Sequence, residues 1–229
     1  MGSEIRLNSC NYFFEQTSLI LVHKFITLSS TTGNYFDHSK LPLSFYEGSD
    51  VVRIARELLG KVLVTCFNGT VTAGRIVETE AYNGITDKAS HAYGGRRTKR
   101  TEVMFGEAGR AYVYLCYGIH YLFNVVTNAR DIPHAVLIRS IEPLEGADVM
   151  TERMNWKKLL RTLGKGPGNV SKALGISTVH TGSSMLSDDL YITDDGYEVS
   201  PLKMEISPRI GVDYAAEDAL LPYRFVLRL

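Results

Sequence analysis

The chain has 229 residues, enough for one large domain or a domain with an appendage. Its 25 basic and 25 acidic side chains cancel, which excludes a surface that is basic throughout and leaves only a local patch for any contact with nucleic acid. Three cysteines without C-x-x-C spacing exclude a disulfide framework or a zinc site and favour a reducing compartment.

Residues 1–40 stand apart from the rest and read as an extension without assigned function. Their apolar run, Leu19 to Leu28, is interrupted by His23 and Lys24 and falls short of the roughly 20 residues a bilayer span needs. There is no basic start and no small-residue cleavage site, so the expectation is a soluble, unexported protein with no membrane contact. A polar, turn-rich stretch from Ser29 to Ser39 reads as a linker.

Organised structure is predicted from about residue 41. "GSDVVRIARELLGK" is an amphipathic helix with Ser49 as N-cap, a buried stripe of Val51, Ile54, Ala55, Leu58 and Leu59, and Gly60 at its end. Two strands follow, turning at Asn68-Gly69, a strong hairpin signal. The second contains "RIVETEAY". Strict alternation puts Ile76, Glu78, Glu80 and Tyr82 on one face, an odd mixture for a plain core. From this stretch alone, solvated strand-end glutamates and a carboxylate base beside an aromatic platform are both open.

A polar stretch from Asn83 to Thr101 carries "SHAYGGRRTKR", where Arg96, Arg97, Lys99 and Arg100 concentrate positive charge. Such a cluster can neutralise phosphates or be an ordinary solvated charge run. "GRAYVYLCYGIHYLFNVVTN" is a long hairpin turning near Tyr117-Gly118. A large aromatic at a turn tip is not explained by core packing. Tyr114 and Asn124 can share a face only if the connecting loop holds an odd number of residues or a bulge intervenes.

Asn124, inside an apolar strand, must find hydrogen-bond partners, and Arg139, ending "HAVLI", calls for a buried carboxylate. A helix is predicted from about Ala147 to Leu163, then a Gly/Pro loop feeding a short helix, then short strands to "YRFVLRL". Hairpin-joined strands without βαβ alternation indicate an α+β fold: a single mixed domain with a curved antiparallel sheet, flanking helices and a protruding β-hairpin. No metal spacing and no phosphate-binding loop is present, so neither metal nor cofactor is expected.

The ordered blocks "ELLGKVLV", "GRIVETEAY", "SHAYGGRRTKR", "MFGEAGRAYVYLCYG", "FNVV", "LIRSIEPLEG", "GPGNVSKAL" and "YRFVLRL" resemble the alkyladenine (3-methyladenine) DNA glycosylase family from about Leu43 onward. The resemblance implies a glycosylase domain over residues 41–229. Its expected activity is monofunctional hydrolysis of the N-glycosidic bond of a damaged purine flipped from double-stranded DNA. On that basis Glu80 is the catalytic base, and Arg139 holds the attacking water with it. Tyr82, His91 and Tyr114 sandwich the extruded base, Asn124 meets its exocyclic edge, and Tyr117 inserts into the duplex. Arg96, Thr98 and Arg100 contact DNA. Glu78 is left as a supporting or solvent-facing residue.

Two departures stand out: Ile119 and His120 beside the turn, and Asn169 where many relatives carry lysine. The resemblance also implies a monomer, located with the cytoplasmic nucleoid in a bacterium or in the nucleus of a eukaryote. The rival reading is a catalytically silent module that binds damaged DNA.

Overall fold

The computed structural model describes residues 39–155 and 162–228, so residues 1–38, with nearly all of the expected extension and linker, lie outside the described residues. A short turn of helix, α1 (Leu43–Tyr46), seats the fully buried Tyr46. In α2 (Val51–Glu57) the predicted apolar stripe, continued by Leu58 and Leu59, is buried. Its N-cap is Asp50 rather than Ser49, because the Asp50 carboxylate accepts the Arg53 N–H at 2.9 Å. Gly60 lies beyond the helix end, its N–H donating to the Ile76 carbonyl.

The antiparallel sheet has eight strands among the described residues. They are β1 (Val62–Phe67), β2 (Thr70–Tyr82), β3 (Ala111–Cys116), β4 (His120–Thr127), β5 (His134–Glu145), β6 (Leu190–Thr193), β7 (Met204–Ser207) and β8 (Arg224–Leu227). Their order is β3-β4-β5-β2-β1-β6, with β8 pairing β2 and β7 pairing β8. The long β2 changes partner along one edge, from β1 over Thr70–Arg75 to β8 over Glu78–Glu80. Asn68 (φ 53°) and Gly69 (φ 75°) make the β1–β2 turn as the sequence implies.

Helices cover one sheet face: α2, α3 (Ala147–Met154) and α4 (Pro167–Leu174). The main core joins Ile54, Leu58, Val170 and Leu174 to Ile76, Ala81, Val125, Val136 and Ile138. A second cluster, with Phe105, Tyr112, Val126 and Ala135, occupies the opposite face. The predicted helix to Leu163 is cut short: α3 stops at Met154, and Asn155 turns left-handed at φ 51°. The rest of that prediction falls partly on residues 156–161, outside the described residues.

The expected alternation of "RIVETEAY" fails at one place. Register runs Ile76 to Ile141, then Glu78 to Ser140, then Thr79 to Ile138, leaving Val77 and Arg139 as opposed extra residues. Ile76 therefore joins Thr79 and Ala81 on the helix side, where Thr79 donates to the Ala55 carbonyl. Glu80 and Tyr82 face the other way, and the bulge at Arg139 aims its side chain at them.

Candidate active site

On the sheet face away from the helices lies a cavity of about 720 Å³, within the size range of small-ligand pockets. Tyr82, His91, Tyr114, Asn124 and Arg139 all line it, with Arg96, Thr98, Arg100 and Tyr117 toward its rim. The β3–β4 hairpin makes this possible. Cys116 pairs with His120, so the loop holds three residues, Tyr117, Gly118 and Ile119. The odd count meets the parity condition, and Tyr112, Tyr114 and Asn124 share the cavity face.

Glu80 sits beneath the cavity at 0% exposure, which excludes a solvated strand end. Its Oε2 accepts the Tyr82 hydroxyl at 2.8 Å and an Arg139 N–H at 3.3 Å. Its Oε1 accepts the Ile210 backbone N–H at 2.8 Å. A carboxylate has about four acceptor positions, so one on Oε1 is left for an outside donor. Burial raises the Glu80 pKa above the ordinary glutamate value, although Arg139 and the two hydrogen bonds pull it down.

Glu78 is neither idle nor turned to solvent. It accepts from Arg139 Nε at 3.0 Å, from Arg224 Nε at 2.6 Å and from the Ser140 hydroxyl at 2.6 Å. Burial alone would raise its pKa, but these donors and the two arginine charges hold it below the ordinary value. Glu78 thus remains ionised and clamps Arg139, which in turn reaches Glu80.

The cavity wall is aromatic. His91 meets Tyr114 edge to face with ring centroids 4.6 Å apart. Its Nδ1 pairs with the Tyr112 hydroxyl at 2.8 Å, and Arg100 donates to Nε2 at 2.9 Å. Arginine only donates, so Nε2 is an acceptor and the imidazole is neutral. Burial, then the Arg100 and Arg96 charges, push its pKa down to about 4. Asn124 commits both amide hydrogens to the Tyr112 and Leu122 carbonyls, which leaves its oxygen as the group it can offer the cavity.

The basic loop is not one uniform patch. Arg97 is paired with Glu102 and Asp131. Arg100 stacks over the Tyr114 ring at 4.7 Å. Thr98 bonds to Thr101 and shapes the turn. Tyr117 is 91% exposed at the hairpin tip, flanked by exposed Leu115 and Ile119. Asn169 turns its amide back onto the Lys165 carbonyl.

Sequence reasoning missed Ile210, whose contribution is a backbone N–H without a residue signature. It also missed Tyr112, and the buried Asp87–Arg209 pair, whose members lie 122 positions apart.

The profile of the methylpurine-DNA glycosylase family matches residues 44–229. The chain belongs to this family. A Chlamydia felis protein named "Putative 3-methyladenine DNA glycosylase" is 46% identical over 190 residues, covering 82% of this chain and 96% of that protein. Proteins of the same name from Chlamydia abortus (47% over 190 residues, 82% and 98%) and Bacillus cereus strain AH820 (46% over 192, 80% and 93%) are similarly close. Family membership spans the whole sheet and every residue of the site. Among the described residues no helix is long and apolar enough to cross a membrane.

Proposed function

We propose that this chain removes 3-methyladenine and related damaged purines from double-stranded DNA as a base-excision repair enzyme, leaving an abasic site. The observation that carries the proposal is a buried, arginine-held glutamate directly beneath an aromatic cavity of purine-compatible size. The names of its relatives point the same way.

A base inside a stacked duplex is out of reach, so the target nucleotide is extruded at a cost of a few kcal/mol, least for a damaged base. Tyr117 offsets that cost by filling the gap. Two features favour this role. Its ring gains nothing from the fold at 91% exposure, and its backbone sits at φ 50°, which is unfavourable for an aromatic residue. Arg96 and the loop around Thr98 hold flanking phosphates, and Arg100 joins them on leaving the cavity.

Within the cavity the purine stacks on Tyr82, Tyr114 and His91, with Asn124 at its edge. Glu80 is sealed in the free protein, so entry of the base must turn Tyr82 or Arg139 aside enough to admit a water to the carboxylate. Glu80 takes a proton from that water as the oxygen bonds to C1′. The C1′–N bond breaks and the base leaves with its electron pair. The carboxylate also faces the positive charge that develops on the sugar. An alkylated, cationic purine leaves without acid help.

The lysine lining the cavity, Lys88, is bonded to Glu217, which raises its pKa and keeps it protonated. A protonated amine is not a nucleophile, which favours monofunctional hydrolysis.

The test is base release from a panel of duplexes carrying 3-methyladenine, 7-methylguanine, hypoxanthine or ethenoadenine. Release with strands intact until alkali is added is expected. Release from none of them overturns the proposal, and borohydride trapping of a covalent adduct overturns the monofunctional mechanism.

A further inference from the structure

Two of the three donors on Glu80, the Tyr82 hydroxyl and the Ile210 N–H, lie next to one residue, Arg209. Arg209 precedes Ile210 in the chain, and its guanidinium lies 4.9 Å from the Tyr82 ring centroid and 5.2 Å from that of Tyr223. The head group donates to both Asp87 oxygens, to the Ala81 carbonyl at 2.8 Å and to the Asp218 carbonyl at 3.1 Å. Ala81 is the residue between Glu80 and Tyr82. Asp87 in turn accepts the backbone N–H groups of Asn83 and Ala89, which shapes the loop leading to His91.

The side chains of Arg209 and Asp87 are 0% and 1% exposed. A fully buried ion pair is weak support for stability, since desolvation offsets much of its attraction. What this pair does with its geometry is tie three segments together: the end of β2, the loop carrying His91, and the stretch carrying Ile210.

We infer that Arg209, locked by Asp87, is a positioning residue that orients the Glu80 carboxylate by fixing Ile210 and Tyr82. This rests on the catalytic role proposed for Glu80. Arg209 does not line the cavity and makes no hydrogen bond to Glu80; its charge reaches Glu80 through space, and its hold on the carboxylate's orientation runs through those two donors. The planar fork is essential. A lysine keeps the charge opposite Asp87 but cannot reach both Asp87 oxygens, Ala81 and Asp218 together, nor stack on Tyr82.

Loss of the lock frees the Ile210 N–H from Glu80, and with it one of the groups that hold the carboxylate pKa down. The charged and titratable groups facing Glu80 are Glu78 and Tyr82 from β2, Arg139 from β5, and Arg209 and Tyr214 from the stretch after β7. Arg224 of β8 is turned to Glu78. Arg209→Lys keeps the charges of Glu78, Arg139 and position 209 in place while the Ile210 and Tyr82 donors loosen, so the Glu80 midpoint should move upward.

The experiment compares wild type, Arg209→Lys and Asp87→Asn. Single-turnover release from a 3-methyladenine duplex is followed against pH, duplex Kd is measured, and the Glu80 carboxyl is titrated by carbon-13 NMR. Both variants are expected to release base about 10- to 100-fold more slowly, the scale of a misplaced reacting group. Duplex Kd should stay within about threefold, and in Arg209→Lys, which keeps the charge opposite Asp87, both the acid limb and the Glu80 midpoint should shift to higher pH. Two variants guard against one that does not fold. If neither folds, guanidinium-free repacking by the double substitution Arg209→Met with Asp87→Leu supplies the same readouts. Unchanged Glu80 midpoints, or equal losses in rate and binding at an unchanged pH profile, overturn the inference. If wild type releases no base yet the Glu80 midpoint still shifts in the variants, the glycosylase reading fails while the positioning of Glu80 stands.

Discussion

The floor of the cavity and the tip of the β3–β4 hairpin are built on opposite principles. At the floor, Glu80, Glu78, Arg139 and Arg224 are interlocked by multiple hydrogen bonds, and Glu80 has no exposed surface. At the tip, Tyr117 and Ile119 on a three-residue turn and Leu115 at the end of β3 are exposed apolar side chains. Chemistry needs charge held in one place before the substrate arrives, and a low-dielectric setting where that charge counts. Insertion into a base stack needs apolar surface that the fold itself leaves unused. The comparison predicts that floor substitutions damage catalysis and stability, whereas tip substitutions damage binding and leave stability alone.

The largest effect is expected from Arg139→Ala. It strips Glu80 and Glu78 of a shared partner in a buried site, a loss of about 3–5 kcal/mol where one member of a buried pair is removed. Denaturant unfolding should show that loss, together with a fall in single-turnover rate. A stable, fully active variant would break the distinction between the two regions.

Tyr117→Ala comes next. Weakening of damaged-duplex binding by about 1–3 kcal/mol is expected, the scale of an aromatic–base stack, with better-preserved action on a bulged base. Its unfolding free energy should change by no more than about 0.5 kcal/mol, as for an exposed site. Unchanged duplex affinity would count against the wedge.

A smaller effect concerns pH. The proposed base, Glu80, would act ionised and its pKa is raised, so release should fall as the medium is acidified, at pH values above those of an ordinary glutamate. His91, pushed down to about 4, stays neutral above that and should add no inflection near pH 6.5. His91→Gln should therefore leave the acid limb in place while weakening the stack. An inflection near 6.5 that vanishes in His91→Gln would contradict the neutral imidazole.

The smallest is Ala216→Gly, at an exposed position with φ 51° and ψ −124°, a conformation suited to glycine. Relief of strain should outweigh glycine's entropic cost by about 1 kcal/mol. That raises Tm by roughly 2–4 °C with activity unaltered.

Much of this arrangement was legible in the sequence. Turn chemistry gave the Asn68-Gly69 hairpin, parity set the condition of an odd β3–β4 loop or a bulge for Tyr114 and Asn124 to share a face, and a tyrosine beside a turn glycine marked the tip. Alternation alone misplaced Ile76, because the opposed irregularities at Val77 and Arg139 are agreed between two strands and leave no trace in either one. Glu78 looked superfluous because one of its partners, Arg224, lies 146 residues away. The Asp50 cap and the early stop of α3 depended on local choices among adjacent residues, which composition does not rank. The Asp87–Arg209 lock has no spacing signature, since only the fold brings its members together.

The central claim is that Glu80 is the base and that its buried setting serves the reaction. Single-turnover release of 3-methyladenine by Glu80→Gln, with duplex binding measured on the same preparation, tests it most directly. The predicted result is a rate lower by about 10²–10⁴-fold with damaged-duplex binding retained. Base release at the wild-type rate would contradict the account.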